Sequence, residues 1–161
     1  MSVLFITLSI ILIIGAIIVA FRPIIPSALL SYAAMWLLDT TNIISISNHN
    51  LLFWGAATII ILIINMSQPQ KTKNNGLFYI VIGTLMGSCI GMVLSPSIIV
   101  IGAALGAIFG LISYYQTPKG KAIKLSPSIF IMQLASMGLP TIVSMSIIAF
   151  IIFQASLNSP I

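Results

Sequence analysis

Few side chains in this sequence are suited to acid, base or metal chemistry. Asp39 is the only carboxylate side chain and His49 the only histidine among 161 residues. Zinc sites take three or four protein ligands, and catalysis by paired carboxylates needs two acids, so neither kind of site can be built. A serine or cysteine nucleophile would lack a base oriented by a third group. We therefore predict that the chain is not an enzyme and holds no metal or cofactor.

Asp39, His49 and Cys89 each have an ordinary structural interpretation. Asp39 follows Leu38 at the end of an apolar stretch, which is typical of a loop-capping residue, although an acid deep in a bilayer would be a functional candidate. His49 lies in a predicted polar loop at 39–50 and is interpreted as solvated. The lone cysteine cannot form an internal disulfide, so Cys89 is interpreted as a small apolar packing residue.

The last apolar segment combines polar side chains with helix-breaking residues. Ser136, Gly138 and Pro140 favour a discontinuous helix, whose unwound backbone would offer carbonyls to an ion or a substrate. The alternative is that serine and threonine bond to their own backbone and that proline only kinks the helix. Both interpretations stay open for the polar residues of the segment, which are Gln133, Ser136, Thr141 and Ser144.

The composition is that of a membrane protein. Hydrophobic residues make up 60% of the chain, charged residues 4%, and the mean hydropathy is +1.23. A soluble domain carries about 25% charged residues, so this chain could not cover a water-facing surface. The 6 basic residues are too few and too scattered to bind phosphates. We expect a lipid bilayer around the chain and no nucleic-acid partner.

Apolar stretches divide the chain into about six hydrophobic segments, each a candidate membrane helix. The first, which ends before Arg22 without a cleavage site, is expected to be retained. Pro23 and Pro26 are predicted helix breaks after it, and Trp54 is expected to be an interfacial anchor of the third segment. The predicted fold is all-α, a polytopic transmembrane protein with one integral membrane domain at 1–161 and segments at about 2–21, 26–38, 51–66, 77–94, 98–115 and 127–157.

The charges favour six crossings over a re-entrant second segment. If every segment crosses, all basic residues fall on one side of the membrane, and Asp39 and His49 fall on the other. If 26–38 is re-entrant, Arg22 falls on the side opposite the lysines. By the positive-inside rule the basic loops are cytoplasmic. A bias toward isoleucine, asparagine, lysine and serine indicates an AT-rich bacterial genome, so we predict a multi-pass protein of the bacterial cytoplasmic membrane.

Two series of glycines dominate the middle of the chain. They are Gly83, Gly87 and Gly91, and then, after a Ser-Pro-Ser turn, Gly102, Gly106 and Gly110. A four-residue spacing keeps each series on one helical face. Because each glycine costs a helix about 1 kcal/mol relative to alanine, we expect close backbone approach in return. The spacing predicts a glycine-zipper hairpin at 77–114, with a small-residue surface wide enough to contact a second copy or a membrane partner.

The order of these features resembles the DUF456 family of small bacterial membrane proteins. Pro23-Ile24-Ile25-Pro26 leads into Leu30-Ser31-Tyr32, an intervening span follows, and the paired glycine series flank a proline turn, all within residues 10–112. The chain departs from the family at Ser27, where members carry glycine, and at Asn65 and Leu111, where members carry acids. The resemblance implies a fold and a membrane location, and it implies no activity.

Two functions fit these observations. The scarcity of ionisable residues in the spans favours a structural or accessory membrane protein, or a subunit of a membrane complex, over an ion-coupled carrier. The alternative is a small transporter or channel for a neutral or amphiphilic solute. Its route would run between Pro140 and the glycine hairpin.

Overall fold

The computed structural model describes residues 2–21, 27–41, 44–67, 76–121 and 126–158. Every regular element in these ranges is a helix, so the predicted all-α class is confirmed for the described chain. The helices are α1 (Ser2–Ala20), α2 (Ser27–Thr40), α3 (Asn48–Ser67), α4 (Leu77–Leu94), α5 (Ile98–Gln116), α6 (Pro118–Lys121), α7 (Pro127–Gln133) and α8 (Leu139–Asn158), with a π turn at Leu134–Gly138 between the last two. The predicted helix breaks Pro23 and Pro26 lie outside the described residues.

Five of the described helical stretches are long and apolar enough to cross a membrane. They are Val3–Ala20, Asn48–Asn65, Leu77–Leu94, Ile98–Gln116 and Pro127–Leu157. Helix α2 is shorter: its 14 residues extend about 21 Å, against a hydrocarbon core of about 30 Å. Five spanning helices support a membrane protein, and the sixth predicted crossing, at 26–38, stays a prediction.

The polar loop between α2 and α3 is shorter than predicted. Helix α2 continues to Thr40 and α3 begins at Asn48, which places His49, exposed, in the first turn of α3. Asp39 Oδ1 accepts a hydrogen bond from the backbone N–H of Ile46 at 3.0 Å. The carboxylate therefore closes this loop, and the loop-capping interpretation of Asp39 is confirmed.

Helix α8 lies at the centre of the bundle. It packs against each of α1 to α5, and almost every residue from Pro140 to Ile151 is buried. Its Met145 and Ile148 belong to one apolar cluster, which we call the hairpin-side cluster, together with residues of α1, α4 and α5. Ile147 and Phe150 belong to a second cluster with residues of α2, α3 and α5. The bundle is thus held together around one central helix.

Two predicted side-chain positions are wrong. Trp54 is 6% exposed, and its ring lies 6.2 Å from the ring of Phe150, so it packs inside the bundle and is not an interfacial anchor. Trp36 is the tryptophan that faces outward, at 56% exposed. Cys89 is exposed and does not fill the core. Helices that are apolar on every face carry no pattern that separates their inner side from their outer side.

Buried hydroxyls on α8 differ in whether they have a partner. Ser144 Oγ and Ser31 Oγ lie 2.7 Å apart, which joins α8 to α2. Ser146 Oγ is buried two residues later without a hydrogen-bond partner among the described residues. A hydrogen bond between membrane helices contributes about 0.6–2 kcal/mol, whereas an unpaired buried hydroxyl is a cost.

We expect Ser144→Ala and Ser146→Ala to change stability in opposite directions. Ser144→Ala should lower the free energy of unfolding by about 0.6–2 kcal/mol, because it removes the bond to Ser31. Ser146→Ala should raise it by up to about 1 kcal/mol. Thermal unfolding of both variants in one detergent measures the difference. Equal losses in the two variants would show that these hydroxyls contribute only their volume.

Candidate functional site

The two glycine faces meet in the contact between α4 and α5. A methyl group added at Gly87 would lie 2.9 Å from the carbonyl carbon of Gly102 and 3.1 Å from the Cα of Gly106. One added at Gly106 would lie 2.7 Å from the carbonyl carbon of Gly83. Carbon atoms in contact normally stay about 3.5–4.0 Å apart. The two backbones therefore leave no room for any side chain at these positions.

The close approach extends to both ends of the hairpin. A methyl group at Gly91 would lie 2.8 Å from the Cα of Ile99, at the start of α5. One at Gly110 would lie 2.8 Å from the carbonyl carbon of Tyr79, near the start of α4. The N–H of Ser95 donates to the Gly91 oxygen at 3.0 Å and ends α4, and the N–H of Ile98 donates to the Ser95 oxygen at 2.9 Å, which closes the turn. The contact thus runs along most of both helices.

An apolar groove follows this contact on the outer surface of the bundle. Its volume is about 550 Å³, its floor is formed by the glycines, and its rims are formed by exposed side chains of both helices. Prominent rim residues are Phe78, Met86 and Ile90 on α4 and Leu105 and Phe109 on α5. We call this feature the hairpin groove. Its shape and apolar lining suit an apolar ridge rather than a polar ligand.

Gly138 and Pro140 lie at the junction of the π turn and α8. The N–H of Leu139 donates to the Leu134 oxygen, five residues back, and Pro140 has no N–H to donate. An α-helical bond to the Ala135 carbonyl would need the N–H of Leu139, which donates to Leu134, and a π-helical bond would need an N–H at Pro140, which has none. The Ala135 carbonyl therefore has neither of these donors. A methyl group at Gly138 would lie 2.9 Å from Leu134 Cδ1. The α-helix is interrupted here by a π turn, and the backbone does not unwind.

The polar residues of the last segment do not converge on one cavity. Thr141 Oγ1 donates to the backbone oxygens of Met137 and Gly138 at 3.0 and 2.8 Å, and Ser136 Oγ donates to the Gln133 oxygen at 3.4 Å. Ser144 faces Ser31, as described above. These serines and threonines mostly satisfy their own helix, as the second interpretation of the sequence expected.

One buried polar contact joins α5 to α7 and was not predicted from the sequence. The hydroxyl of Tyr115, near the end of α5, donates to Gln133 Oε1, at the end of α7, across 2.5 Å. Both residues are buried. A buried tyrosine hydroxyl generally has a hydrogen-bond partner, and this rule is the only signal that could have led to the pair. The sequence separation of 18 residues gives no local pattern.

The described residues contain no group of three or more His, Cys, Asp or Glu side chains placed to hold a metal ion. The architecture defines a class: a helical protein with five helices able to cross a membrane. Comparison with models of protein families gave no match, and comparisons with curated proteins and with solved structures found none that is similar.

Proposed function

We propose that this chain is an accessory or structural protein of the membrane, a subunit that assembles with another membrane protein. The observation that carries the proposal is the hairpin groove, an apolar groove of about 550 Å³ that lies over a contact with no room for a side chain. Within lipid, helices associate through close packing at small residues. The glycine floor of the groove would let a helix of a partner approach closely, and the rim side chains would pack on both of its sides. In this proposal the chain is no enzyme and binds neither a cofactor nor nucleic acid.

We further propose the finer architecture that the sequence predicted. The close approach at Gly87 and Gly106 supports a glycine-zipper hairpin at 77–114. Six crossings are supported by the charges, because they place every basic residue on one side of the membrane. Helix α2 packs within the bundle, where Ser31 lies against Ser144 of α8 and the Tyr32 hydroxyl donates to the Leu51 oxygen of α3 at 3.3 Å. In this proposal the positive-inside rule puts the basic loops on the cytoplasmic side of a bacterial inner membrane. The order of the proline and glycine features supports a divergent member of the DUF456 family.

Crosslinking in native membranes, followed by native mass spectrometry, tests the accessory role. We expect a heteromeric species that survives purification of the wild type. Leu105→Trp should remove it, because the indole would fill a groove whose rim Leu105 forms. The matched control is Leu4→Trp on α1, where the side chain is 66% exposed and lies outside the groove. Loss of the species in both variants, or in neither, contradicts assembly through the groove.

A homo-oligomer is a separate outcome of the same experiment. Cys89 is the only cysteine and is exposed on α4. Oxidation in the membrane would join two copies that meet near this helix into a disulfide-linked dimer, and Cys89→Ser removes that product. A homodimer without a heteromer would replace the accessory role with self-assembly.

The second candidate is a small transporter or channel for a neutral or amphiphilic solute. The π turn favours it, because Pro140 leaves a backbone carbonyl of Ala135 without its helical donors in a segment that spans the membrane. Flux of solutes into proteoliposomes, reduced in Pro140→Ala, would support this function. A monomeric protein without flux would contradict both candidates.

A further inference from the structure

Helix α7 is joined to the bundle far more loosely than the helix that follows it. Ile131 is 65% exposed, Ile129 37% and Met132 36%, and only Gln133 at its end is buried. In α8, by contrast, Thr141 is 2% exposed and both Ser144 and Ile147 are fully buried. Most other residues of this helix up to Ile151 are buried as well. The last segment therefore consists of a peripheral arm and a central helix.

The junction between the arm and α8 is the π turn at Leu134–Gly138. Such turns disturb the regular ladder of helical hydrogen bonds and commonly occur at functional sites. Pro140 removes one further donor just beyond the turn, and Gly138 lacks a side chain that would stiffen it. The backbone can bend here at a lower cost than elsewhere in the segment, because fewer helical bonds have to be broken.

Two contacts with one residue of α5 hold the arm against the bundle. The hydroxyl of Tyr115 donates to Gln133 Oε1, and the Tyr115 ring lies 6.4 Å from the ring of Phe130. Phe130 and Leu134 pack at the edge of the hairpin-side cluster. Lys119 and Lys121 follow Tyr115 by one short turn, so the arm covers the bundle at the end that carries these basic residues.

We propose that α7 is a hinged lid: it swings about the π turn at Leu134–Gly138, and the Tyr115–Gln133 hydrogen bond latches it closed. Opening uncovers the hairpin-side cluster at the basic end of the bundle. The lid depends on neither candidate function above. It would act as a gate in a transporter and as a partner-controlled element in a complex.

Distance measurements between spin labels test the lid in the full-length protein. Cys89, the only native cysteine, supplies a label on α4, and Ile131→Cys supplies one on the arm. A second pair, Cys89 with Ile152→Cys, places the other label at an exposed residue of α8 and serves as the reference. Tyr115→Phe removes the latch hydroxyl and keeps the ring. Tyr114→Phe is the matched control, since its hydroxyl makes no hydrogen bond within the described residues.

We expect two distances for the arm pair and one for the reference pair. Tyr115→Phe and Gln133→Leu should each raise the open population about 3- to 30-fold, which is the range for loss of one hydrogen bond between membrane helices. The double variant should open no further than either single variant, because both remove the same bond. Tyr114→Phe should leave the populations unchanged.

Three results would overturn the lid. In the first, the arm pair keeps one unchanged distance in both Tyr115→Phe and Gln133→Leu. In the second, the arm and reference pairs broaden together, which would show general loosening of the bundle. In the third, Tyr114→Phe opens the arm as much as Tyr115→Phe does. Only a selective change of the arm pair supports a latch at Tyr115.

Discussion

Gly106→Ala is expected to lower the free energy of unfolding by about 1–3 kcal/mol or more, the range for forcing extra atoms into a packed interior. The added methyl group would lie 2.7 Å from the carbonyl carbon of Gly83 and 3.1 Å from the Cα of Gly87. Backbone atoms cannot rotate away as a flexible side chain can, so α4 and α5 must separate. Separation also loosens the neighbouring contacts along the hairpin, which is why one methyl group has a large effect.

Gly15→Ala is the matched control for this substitution. Gly15 lies inside α1, and a methyl group there would meet nothing within 4 Å. Alanine favours a helix over glycine by up to about 1 kcal/mol, so Gly15→Ala should leave stability unchanged or raise it. Thermal unfolding and monodispersity in detergent measure both variants. If Gly106→Ala were as stable as Gly15→Ala, close packing of the hairpin would not contribute to stability.

The helices themselves could be predicted from hydropathy alone. Long apolar runs in a chain with so few charges have to form helices in lipid. A helix is the only element in which one such run makes all of its backbone hydrogen bonds within itself. Helices α4 and α5 accordingly begin and end within a residue of the predicted 77–94 and 98–115. The ends of α2 and α3 differ by more, because polar residues such as Asn48 and Thr40 are tolerated in terminal turns.

The positions of individual side chains could be predicted much less well. In a soluble helix, polar residues mark the outer face, but Trp54 and Cys89 lie on helices that are apolar all round. Glycine was the exception. Glycine destabilises a helix, so a series of glycines indicates close packing, and the four-residue spacing placed each series on one helical face. In the structure this face of α4 lies against the corresponding face of α5. Whether that contact drives assembly stays a prediction.

The candidate lid could not be predicted because it depends on pairing across the bundle. Tyr115 and Gln133 belong to different helices, and either could have pointed to lipid headgroups or water. The π turn is equally invisible in the sequence, where Gly138 and Pro140 are compatible with a kink, a break or an extra residue in one turn. Which of these three forms the backbone takes depends on how α8 packs against its neighbours, and that packing involves the whole bundle.

Leu111→Glu is expected to prevent the protein from accumulating as a folded species. Leu111 is fully buried in the hairpin-side cluster, at a position where the DUF456 resemblance would place an acid. An acid in the middle of a membrane protein is tolerated when it faces water or a charged partner. The cluster around Leu111 is apolar, with Ile80 and Ala107 among its members, so a carboxylate would cost about 3 kcal/mol or more.

Two controls separate the effect of the charge from the effects of lost packing and of lipid exposure. Leu111→Ala should lower the free energy of unfolding by less than the same change does in a soluble core. Lipid is as apolar as the protein interior, so only the cavity that the substitution leaves destabilises the fold. Leu105→Glu places the acid on α5 at a side chain that is 49% exposed. Membrane yield and thermal unfolding should rank Leu111→Glu below both. If Leu111→Glu is as stable as Leu111→Ala, the interior near Leu111 supplies water or a charged partner to the carboxylate.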